Sequence, residues 1–243
     1  MNLTTAKVLI TGGNSGIGAA VAEILVAAGA KVAISGRNLA TLEAVAERLG
    51  VVAIQADVTD PADVTRMTTT AAEKLGGLNV LINNAGYGYM APLASIDPQQ
   101  FEAVWRTNVY GAMLVAQAAA RIFIAQEYGN IVNIASTAAL SGGANVSPYN
   151  ATKFALRGMT EAWRGELRQY NIRVMLVNPS EVMTSFAENR LLNSGKTEKV
   201  YTENEQATKL RGEEIAHVIK SLLEMDDRGF VTEATVFATN PKV

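Results

Sequence analysis

Cysteine is absent from this 243-residue chain, and histidine occurs only once. Without cysteine there can be no disulfide, no thiol nucleophile and no thiolate metal ligand. The single histidine, His217, falls in a predicted helix from Glu213 to Glu224. A lone helical histidine is typical of a surface or boundary position. We therefore expect neither a metal site nor a histidine-dependent catalytic triad.

Excess charge and long apolar runs are also lacking. The formal net charge is −2 and no long basic run occurs, so nucleic acid is not an expected partner. No apolar stretch reaches the roughly 18 residues expected of a membrane span, so a membrane is not an expected partner either. The N-terminus enters a predicted strand almost at once, which argues against a signal peptide. A cytoplasmic protein is the simplest expectation.

Alternating strand and helix patterns fill most of the chain. Predicted strands lie near residues 7–11, 31–35, 51–56, 79–84, 130–135, 172–178 and 234–239, and predicted helices near 17–28, 38–49, 61–76, 98–126, 148–170 and 212–225. This alternation predicts an α/β fold, a doubly wound sheet of seven mainly parallel strands flanked by helices. At 49% hydrophobic residues, the chain can bury such a core as one domain, 1–243.

One polar segment, 181–211, interrupts this alternation. A segment of that length inside a compact domain is often a functional lid, with a surface excursion containing short helices as the alternative. Its candidate apolar contacts are Phe186, Leu191, Leu192 and Tyr201. Tyr87, Tyr89 and Met90, after the fourth strand, are candidates for the other side of a pocket, although Met90 could instead belong to the core.

The first strand leads into a glycine-rich turn, Thr11-Gly12-Gly13-Asn14-Ser15-Gly16-Ile17-Gly18. Glycines in such a turn let the backbone approach a pyrophosphate, and the N-terminus of the following helix favours the anion. A plain strand-to-helix turn is the alternative. After the second strand, Arg37 occupies the region that reads the ribose 2′ position, with no acid at 34–38. A cation there suits a 2′-phosphate and predicts NADP(H), unless Arg37 is simply solvated.

Tyr149 and Lys153 lie four residues apart in a predicted helix, for which Ser147 is a candidate cap and Pro148 suits the first turn. That spacing places both side chains on one face. A free tyrosine has a pKa near 10, and an adjacent ammonium group favours the phenolate and lowers that pKa. Ser136, after the fifth strand, could hydrogen-bond a substrate oxygen. An ordinary amphipathic helix face is the alternative for the Tyr/Lys pair alone.

Together these motifs resemble the short-chain dehydrogenase/reductase family over nearly the whole chain. The matching pieces, in family order, are Thr11-Gly12-x-x-x-Gly16-x-Gly18, Asp57-Val58-Thr59, Asn83-Asn84-Ala85-Gly86, Asn108, Ser136, Tyr149-x-x-x-Lys153 and Asn178-Pro179. The resemblance implies a Rossmann-type fold and an oxidoreductase that exchanges a hydride between NADP(H) and a carbonyl or alcohol. Ser180, where the family usually has glycine, and Asn79, where aspartate is frequent, depart from the pattern.

The resemblance also implies roles for individual residues. Tyr149 would be the general acid in ketone reduction, Lys153 would bind the nicotinamide ribose and tune Tyr149, and Ser136 would polarise the carbonyl. Asn108 would help to position a water that relays protons through Lys153. The implied cofactor contacts are Gly12, Asn14, Ser15, Gly16, Ile17, Gly18, Arg37, Asp57, Val58, Asn84, Ala85, Gly86, Tyr149, Lys153, Pro179, Val182 and Thr184.

Within the family, the chain is most similar to the 3-oxoacyl-[acyl-carrier-protein] reductase group, which implies a β-keto thioester substrate that a carrier protein could present. That group commonly uses two arginines for the carrier, at positions that here hold Glu127 and Tyr170, although Arg168 and Arg173 lie close to the second. A general carbonyl reductase for small free ketones or hydroxy acids is the alternative. A non-catalytic NADP-sensing regulator is a more remote one. The family resemblance also implies a homotetramer or homodimer joined through the helices near 98–126 and 148–170.

Overall fold

The structure, a computed structural model, describes residues 1–183 and 208–239. A seven-stranded sheet forms its centre. The strands are β1 (Lys7–Thr11), β2 (Lys31–Gly36), β3 (Val52–Gln55), β4 (Val80–Asn83), β5 (Gly129–Ile134), β6 (Ile172–Pro179) and β7 (Glu233–Val236). They are arranged in the order β3-β2-β1-β4-β5-β6-β7, and every pairing is parallel. The predicted doubly wound sheet is confirmed.

Seven α-helices cover the two faces of this sheet in the part of the chain that the structure describes. They are α1 (Gly16–Ala27), α2 (Leu39–Leu49), α3 (Pro61–Leu75), α4 (Pro98–Trp105), α5 (Ala112–Ala125), α6 (Ser147–Leu167) and α7 (Gly212–Glu224). Side chains cap several of them where the sequence supplies a cap. Asp60, for example, accepts hydrogen bonds from the first turn of α3, where Pro61 fills the first position.

The core has two layers because successive strand residues point to opposite faces of the sheet. On one face, Val8 and Ile10 pack with residues of α1 and α7 such as Leu25 and Ile219. On the other, Leu9 belongs to the cluster formed with α3 and α5. Both faces are covered, and this explains why the strand sequences are apolar runs rather than alternating patterns.

Two details of the predicted helices are wrong. The helix expected over 98–126 is not uniformly α-helical, because a π-helical segment, Arg106–Gly111, joins α4 to α5. Ser147 is the first residue of α6 and not its cap; Val146 occupies the cap position and makes no side-chain capping hydrogen bond. Pro148 does lie in the first turn, where its missing N–H costs nothing.

The continuous helical stretch Pro98–Ala125 is long and apolar enough to span a membrane, judged by length and composition alone. The expectation that no apolar stretch would reach this length is therefore wrong, because the apolar residues of this helix are spread along it among polar ones. Half of its most apolar window is buried inside the protein. Phe123 and Ala119, for example, are fully buried in the core, which is the behaviour of a core helix.

The sheet order reverses between β1 and β4, because the chain runs outward from β1 through β2 and β3 and then returns to the other side of β1. The loops after these strands therefore diverge and leave a crevice beyond their carboxyl ends. In open parallel sheets this crevice is where ligands bind.

Candidate active site

The crevice is a cleft of about 500 Å³ that runs along the carboxyl ends of the strands. Most of the predicted site residues line it: Gly12, Asn14, Ser15, Gly16, Ile17, Arg37, Asp57, Val58, Asn84, Ala85, Gly86, Ser136, Tyr149, Lys153, Pro179 and Val182. Gly18 and Asn108 lie behind its wall. Thr184, like the lid contacts expected at Phe186, Leu191, Leu192 and Tyr201, lies outside the described residues.

The glycine-rich turn between β1 and α1 forms one wall of the cleft. Gly12 has a φ of 64° and Gly16 one of 52°, a left-handed conformation that glycine adopts without strain. Asn84, from the end of β4, donates its side-chain amide to the carbonyl oxygens of Thr11 at 2.9 Å and Gly12 at 3.1 Å. The turn is thereby fixed to the neighbouring strand, with the N-terminus of α1 facing the cleft.

Arg37, directly after β2, and Asn14, in the turn after β1, both line the cleft. Asn14 donates its side-chain amide to the Thr41 hydroxyl at 3.1 Å. Gln55 donates to the backbone oxygen of Arg37 at 2.9 Å, which fixes the loop that carries the guanidinium group. Burial raises the pKa of Tyr87 across the cleft, and the positive charge of Arg37 opposes that rise. The guanidinium therefore acts on groups inside the cleft.

Asp57, after β3, has one carboxylate oxygen occupied. Its Oδ1 accepts from the backbone N–H of Thr59 at 2.8 Å and from the Thr59 hydroxyl at 2.9 Å. Its own backbone N–H donates to Asp63 Oδ2 at 2.9 Å. These bonds fix the turn on which Asp57 and Val58 face the cleft, as the sequence predicts.

Tyr149 and Lys153 share one face of α6 and are both buried. The Lys153 Nζ lies 5.6 Å from the centroid of the Tyr149 ring and donates a hydrogen bond to the backbone oxygen of Ile134 at 2.9 Å. Burial lowers the pKa of Lys153 to about 8, because the charged ammonium loses its hydration. The end of β5 thus holds a buried amine against the tyrosine ring.

Ser136 follows β5 and caps the short 3₁₀ turn Thr137–Ala139, accepting from the backbone N–H of Ala138 at 3.2 Å. It lines the cleft together with Tyr149 and Lys153. The site therefore contains two hydroxyl groups that can donate to a carbonyl oxygen and one amine that can stabilise negative charge on the tyrosine.

Asn108 lies in the π-helical segment with an exposed fraction of 1%. Its Oδ1 accepts from the Tyr87 N–H at 3.0 Å, and its Nδ2 donates to the Tyr87 oxygen at 2.9 Å and to the Thr152 hydroxyl at 3.1 Å. A Cβ added to Gly86 would lie 3.0 Å from Asn108 Oδ1 and 3.8 Å from Lys153 Nζ. The amide thus joins the loop after β4 to α6, directly behind Lys153.

Several lining residues carry no motif in the sequence. Tyr87 and Met90 line the cleft as expected. Tyr89 does not, because its ring is buried in an apolar cluster and its hydroxyl accepts from the Asp97 N–H at 2.8 Å.

Lining residues that the sequence did not identify are Ser35, Gly36, Ala56, Thr107, Ile134, Ala135, Thr137, Ala138, Val146, Ser180 and Glu181. Most of them adjoin a motif residue at a strand end, a signal that could have found them. Thr107 and Val146 had no such signal.

Two contacts join the chain on either side of residues 184–207. Val182 forms a parallel bridge with Leu210, and the Met183 N–H donates to the Leu210 oxygen at 2.7 Å. Beside them, Lys209 and Glu181 form an ion pair at 2.8 Å. Glu181 also lines the cleft, two residues after Pro179.

Metal ligands are not grouped in the described residues. No set of three or more histidine, cysteine, aspartate or glutamate side chains lies close enough together there to hold an ion. His217 is exposed on α7, far along the chain from the cleft residues.

Comparison with known proteins gives consistent matches. The family model for short chain dehydrogenases matches residues 6–194. The chain is 30% identical to oxidoreductase asL5 of Sarocladium schorii over 236 residues, which are 96% of this chain and 94% of that protein.

Solved structures match equally well. Levodione reductase superposes with a TM-score of 0.86 at 30% identity, covering 94% of this chain and 95% of that one. The 3-ketoacyl-(acyl-carrier-protein) reductase from Brucella melitensis, complexed with NADH, superposes with a TM-score of 0.85 at 28% identity, covering 96% of each chain.

Proposed function

The chain belongs to the short-chain dehydrogenase family, an oxidoreductase family that acts on CH–OH and C=O groups, and from this we propose that it reduces a ketone to a secondary alcohol with NADPH. The observation that carries the proposal is the cluster at the end of β5, where buried Lys153 lies against the Tyr149 ring and Ser136 faces the same cleft. An acid, its stabilising cation and a hydrogen-bond donor are the groups that carbonyl reduction requires.

The cleft fits a dinucleotide on structural grounds. Its turn leaves no room for side chains at Gly12 and Gly18, where a Cβ would meet atoms of Asn84 at 3.0 Å and of Gly12 at 2.3 Å. Backbone N–H groups at the start of α1 can then reach a pyrophosphate directly. Asp57 and Val58 would hold the adenine, and Asn84, Ala85 and Gly86 would lie along the path to Pro179 and Val182 at the nicotinamide end.

The proposed mechanism assigns one task to each group. The nicotinamide, when bound, supplies the hydride. Ser136 donates a hydrogen bond to the substrate carbonyl oxygen, and Tyr149 donates its proton to that oxygen as negative charge develops there. The Lys153 ammonium stabilises the phenolate left behind, because a positive charge close to a phenolate favours its ionised form. Asn108 holds the loop after β4 against α6 and so keeps Lys153 in place.

The preference for NADP(H) over NAD(H) rests on Arg37. It lines the cleft at the end where the adenosine would bind, and its backbone is fixed by Gln55. A guanidinium group pairs well with a 2′-phosphate. Asn14 and Thr41, already hydrogen-bonded to each other beside it, would supply neutral donors to the same phosphate.

For the substrate, we propose first a 3-oxoacyl thioester, on the similarity to the Brucella reductase. Docking of a carrier protein has weaker support, because Arg173 cannot supply the missing cation. Its side chain is buried and donates to Asn130 Oδ1 at 2.6 Å and to the Met225 and Leu223 oxygens at 3.1 and 3.2 Å. Arg168 is exposed and remains the one candidate of the two.

Small free ketones are the second candidate, favoured by the similarity to levodione reductase. The cleft wall around Ser136 and Tyr149 adds the small or apolar side chains of Ala138, Val146 and Met90. Such a wall suits a compact neutral ketone. The more remote alternative, a regulator that binds NADP(H) without turnover, would leave the Tyr149 and Lys153 arrangement without a use.

We also propose a homotetramer or homodimer, assembled through α4–α5 and α6. Two large apolar side chains on these helices are exposed in the single chain, Trp105 at 39% and Phe154 at 46%. Light scattering of the wild type and of Phe154→Glu would test this, since burial of Phe154 between copies predicts dissociation of the variant.

The experiment that tests the function follows NADPH oxidation with acetoacetyl-CoA, beside NADH and beside Tyr149→Phe. Turnover with NADPH that is far slower with NADH and falls by at least about 100-fold in the variant would support the proposal. Turnover that persists in Tyr149→Phe would contradict it. Binding of NADPH without turnover of the thioester, but with turnover in a panel of small ketones, would transfer the assignment to the second candidate.

A further inference from the structure

Asn150, the residue after Tyr149, joins the two hydroxyl-bearing elements of the site. Its exposed fraction is 7%, and its Nδ2 donates to the backbone oxygens of Ala138 and Ser141, both at 2.7 Å. An amide nitrogen carries two hydrogens, so both are used. The two carbonyls lie at either end of the segment that follows Ser136. Asn150 therefore fixes that segment to the helix that carries Tyr149.

The orientation of this amide is set by its partners. Both neighbours at hydrogen-bond distance are carbonyl oxygens, so the opposite assignment would bring Oδ1 to 2.7 Å from two acceptors. Oδ1 itself is buried and has no hydrogen-bond partner in the part of the chain that the structure describes. A buried acceptor without a partner is unfavourable, because it has lost its hydrogen bonds to water. In this orientation the amide leaves Oδ1 without a partner, and both of its N–H groups are hydrogen-bonded.

Ala138 connects Asn150 to Ser136, because it forms a hydrogen bond with each of them. The carbonyl of Ala138 accepts from Asn150, while the N–H of Ala138 donates to Ser136 Oγ at 3.2 Å. Because Ser136 Oγ accepts that bond, its own hydrogen is left to point away from Ala138. Ser136 and Ala138 both line the cleft. The direction in which Ser136 donates thus depends on where Asn150 holds the turn.

We propose that Asn150 is a positioning residue that keeps the Ser136 hydroxyl at a fixed distance from Tyr149. This inference rests on the proposed function, since it concerns a carbonyl oxygen that receives hydrogen bonds from both hydroxyls. Displacement of a reacting group by about 1 Å can cost on the order of 100-fold in rate. Loss of Asn150 is expected to lower kcat while leaving cofactor binding unchanged, because its hydrogen-bond partners, Ala138 and Ser141, are not among the expected cofactor contacts.

The test compares Asn150→Ala with Thr160→Val, using acetoacetyl-CoA or whichever ketone the wild type reduces. Thr160 is a buried polar residue on the same helix. Its hydroxyl accepts from the Asn133 amide at 2.9 Å and donates to the Leu156 oxygen at 2.7 Å, and neither partner belongs to the turn after Ser136. We expect kcat to fall about 10- to 100-fold in Asn150→Ala, with the Kd for NADPH within about twofold of the wild type. Thr160→Val should keep kcat within about twofold.

A double-mutant cycle with Ser136→Ala separates positioning from general loss of structure. If Asn150 acts through Ser136, adding Asn150→Ala to Ser136→Ala costs less than about twofold more. An equal loss in both backgrounds, or a kcat within about twofold of the wild type in folded Asn150→Ala, would overturn the proposal. Asn150→Ser, which keeps one donor, serves if Asn150→Ala does not fold, with an intermediate kcat expected. If the wild type reduces no ketone, the proposed function is wrong, and the positioning role of Asn150 is wrong for the same reason.

Discussion

Gly18 and Gly12 approach each other so closely that a side chain at Gly18 would force the turn or the helix to move. A Cβ built on Gly18 would lie 2.3 Å from the Gly12 oxygen and 2.8 Å from the Asn84 amide nitrogen. Gly18 is therefore required by the packing of α1 against the turn. Gly18 was predicted as a cofactor contact, but it does not line the cleft. What the structure shows at Gly18 is a packing requirement for glycine.

Gly18→Ala is accordingly expected to lower the free energy of unfolding by about 1–3 kcal/mol, because the added methyl group overpacks the turn. It should also weaken NADPH binding by moving the N-terminus of α1. Gly158→Ala is the control, since Gly158 lies in α6 with no atom within 4 Å of its added Cβ. The free energy of unfolding of that variant should rise by about 0.5–1 kcal/mol, because alanine favours a helix interior more than glycine does. Urea titration and NADPH fluorescence measure both effects, and a Gly18→Ala protein as stable as the wild type would contradict the expectation.

Arg37→Ala is expected to lower kcat/KM for NADPH by about 10- to 100-fold, the size of one lost charge-assisted hydrogen bond. The value for NADH should stay within about threefold, because NADH has no 2′-phosphate for Arg37 to bind. Steady-state kinetics with both cofactors measures the ratio. Arg48→Ala removes a cation that pairs with Glu23 on the surface instead, and it should change neither value. An equal loss of kcat/KM with both cofactors would show that Arg37 does not bind the 2′-phosphate.

Lys153 should make stability depend on pH in a defined window. Its pKa is about 8 in the folded protein, against 10.5 for an unperturbed lysine. Between these values the unfolded chain holds a proton that the folded chain has released, so raising the pH favours the folded state. Relative to Lys153→Met, the free energy of unfolding of the wild type should rise by on the order of 3 kcal/mol from pH 8 to pH 10.5. Above pH 10.5 it should rise no further. Denaturant titrations at several pH values measure this. Identical pH slopes for the two proteins would count against the burial of a charged Lys153.

The two arginines near the start of β6 are expected to behave in opposite ways. Arg173→Met should lower the free energy of unfolding by about 1–3 kcal/mol, since it leaves Asn130 Oδ1 without its donor. The Leu223 and Met225 oxygens would lose one donor each but would keep the N-terminal ammonium of Met1. Arg168→Ala, on the surface, should change stability by less than about 0.5 kcal/mol. If a carrier protein docks there, only Arg168→Ala should reduce activity on the carrier thioester relative to the CoA thioester. A selective loss in Arg173→Met would contradict this.

The sequence predicted the first six strands to within one residue and most helices to within one or two, because their apolar runs and the capping residues around them are local signals. The last strand was predicted to end at 239 and ends at Val236. It also predicted the residues that follow each strand, since parallel strands bring their carboxyl ends to one edge. The π-helical segment at Asn108 was not predicted, and the partners of Asn108, Tyr87 and Thr152, lie far from it in the sequence. The place of Asn150 was missed for the same reason, because its partners follow β5 rather than lying in its own helix.

The pairing of Val182 with Leu210 and of Glu181 with Lys209 links the end of β6 to the residues that lead into α7. Glu181 and Val182 line the cleft, whereas Lys209 and Leu210 are not among its lining residues. A substitution at Lys209 or Leu210 can therefore alter the shape of the cleft from outside it, through the backbone of Glu181 and Val182.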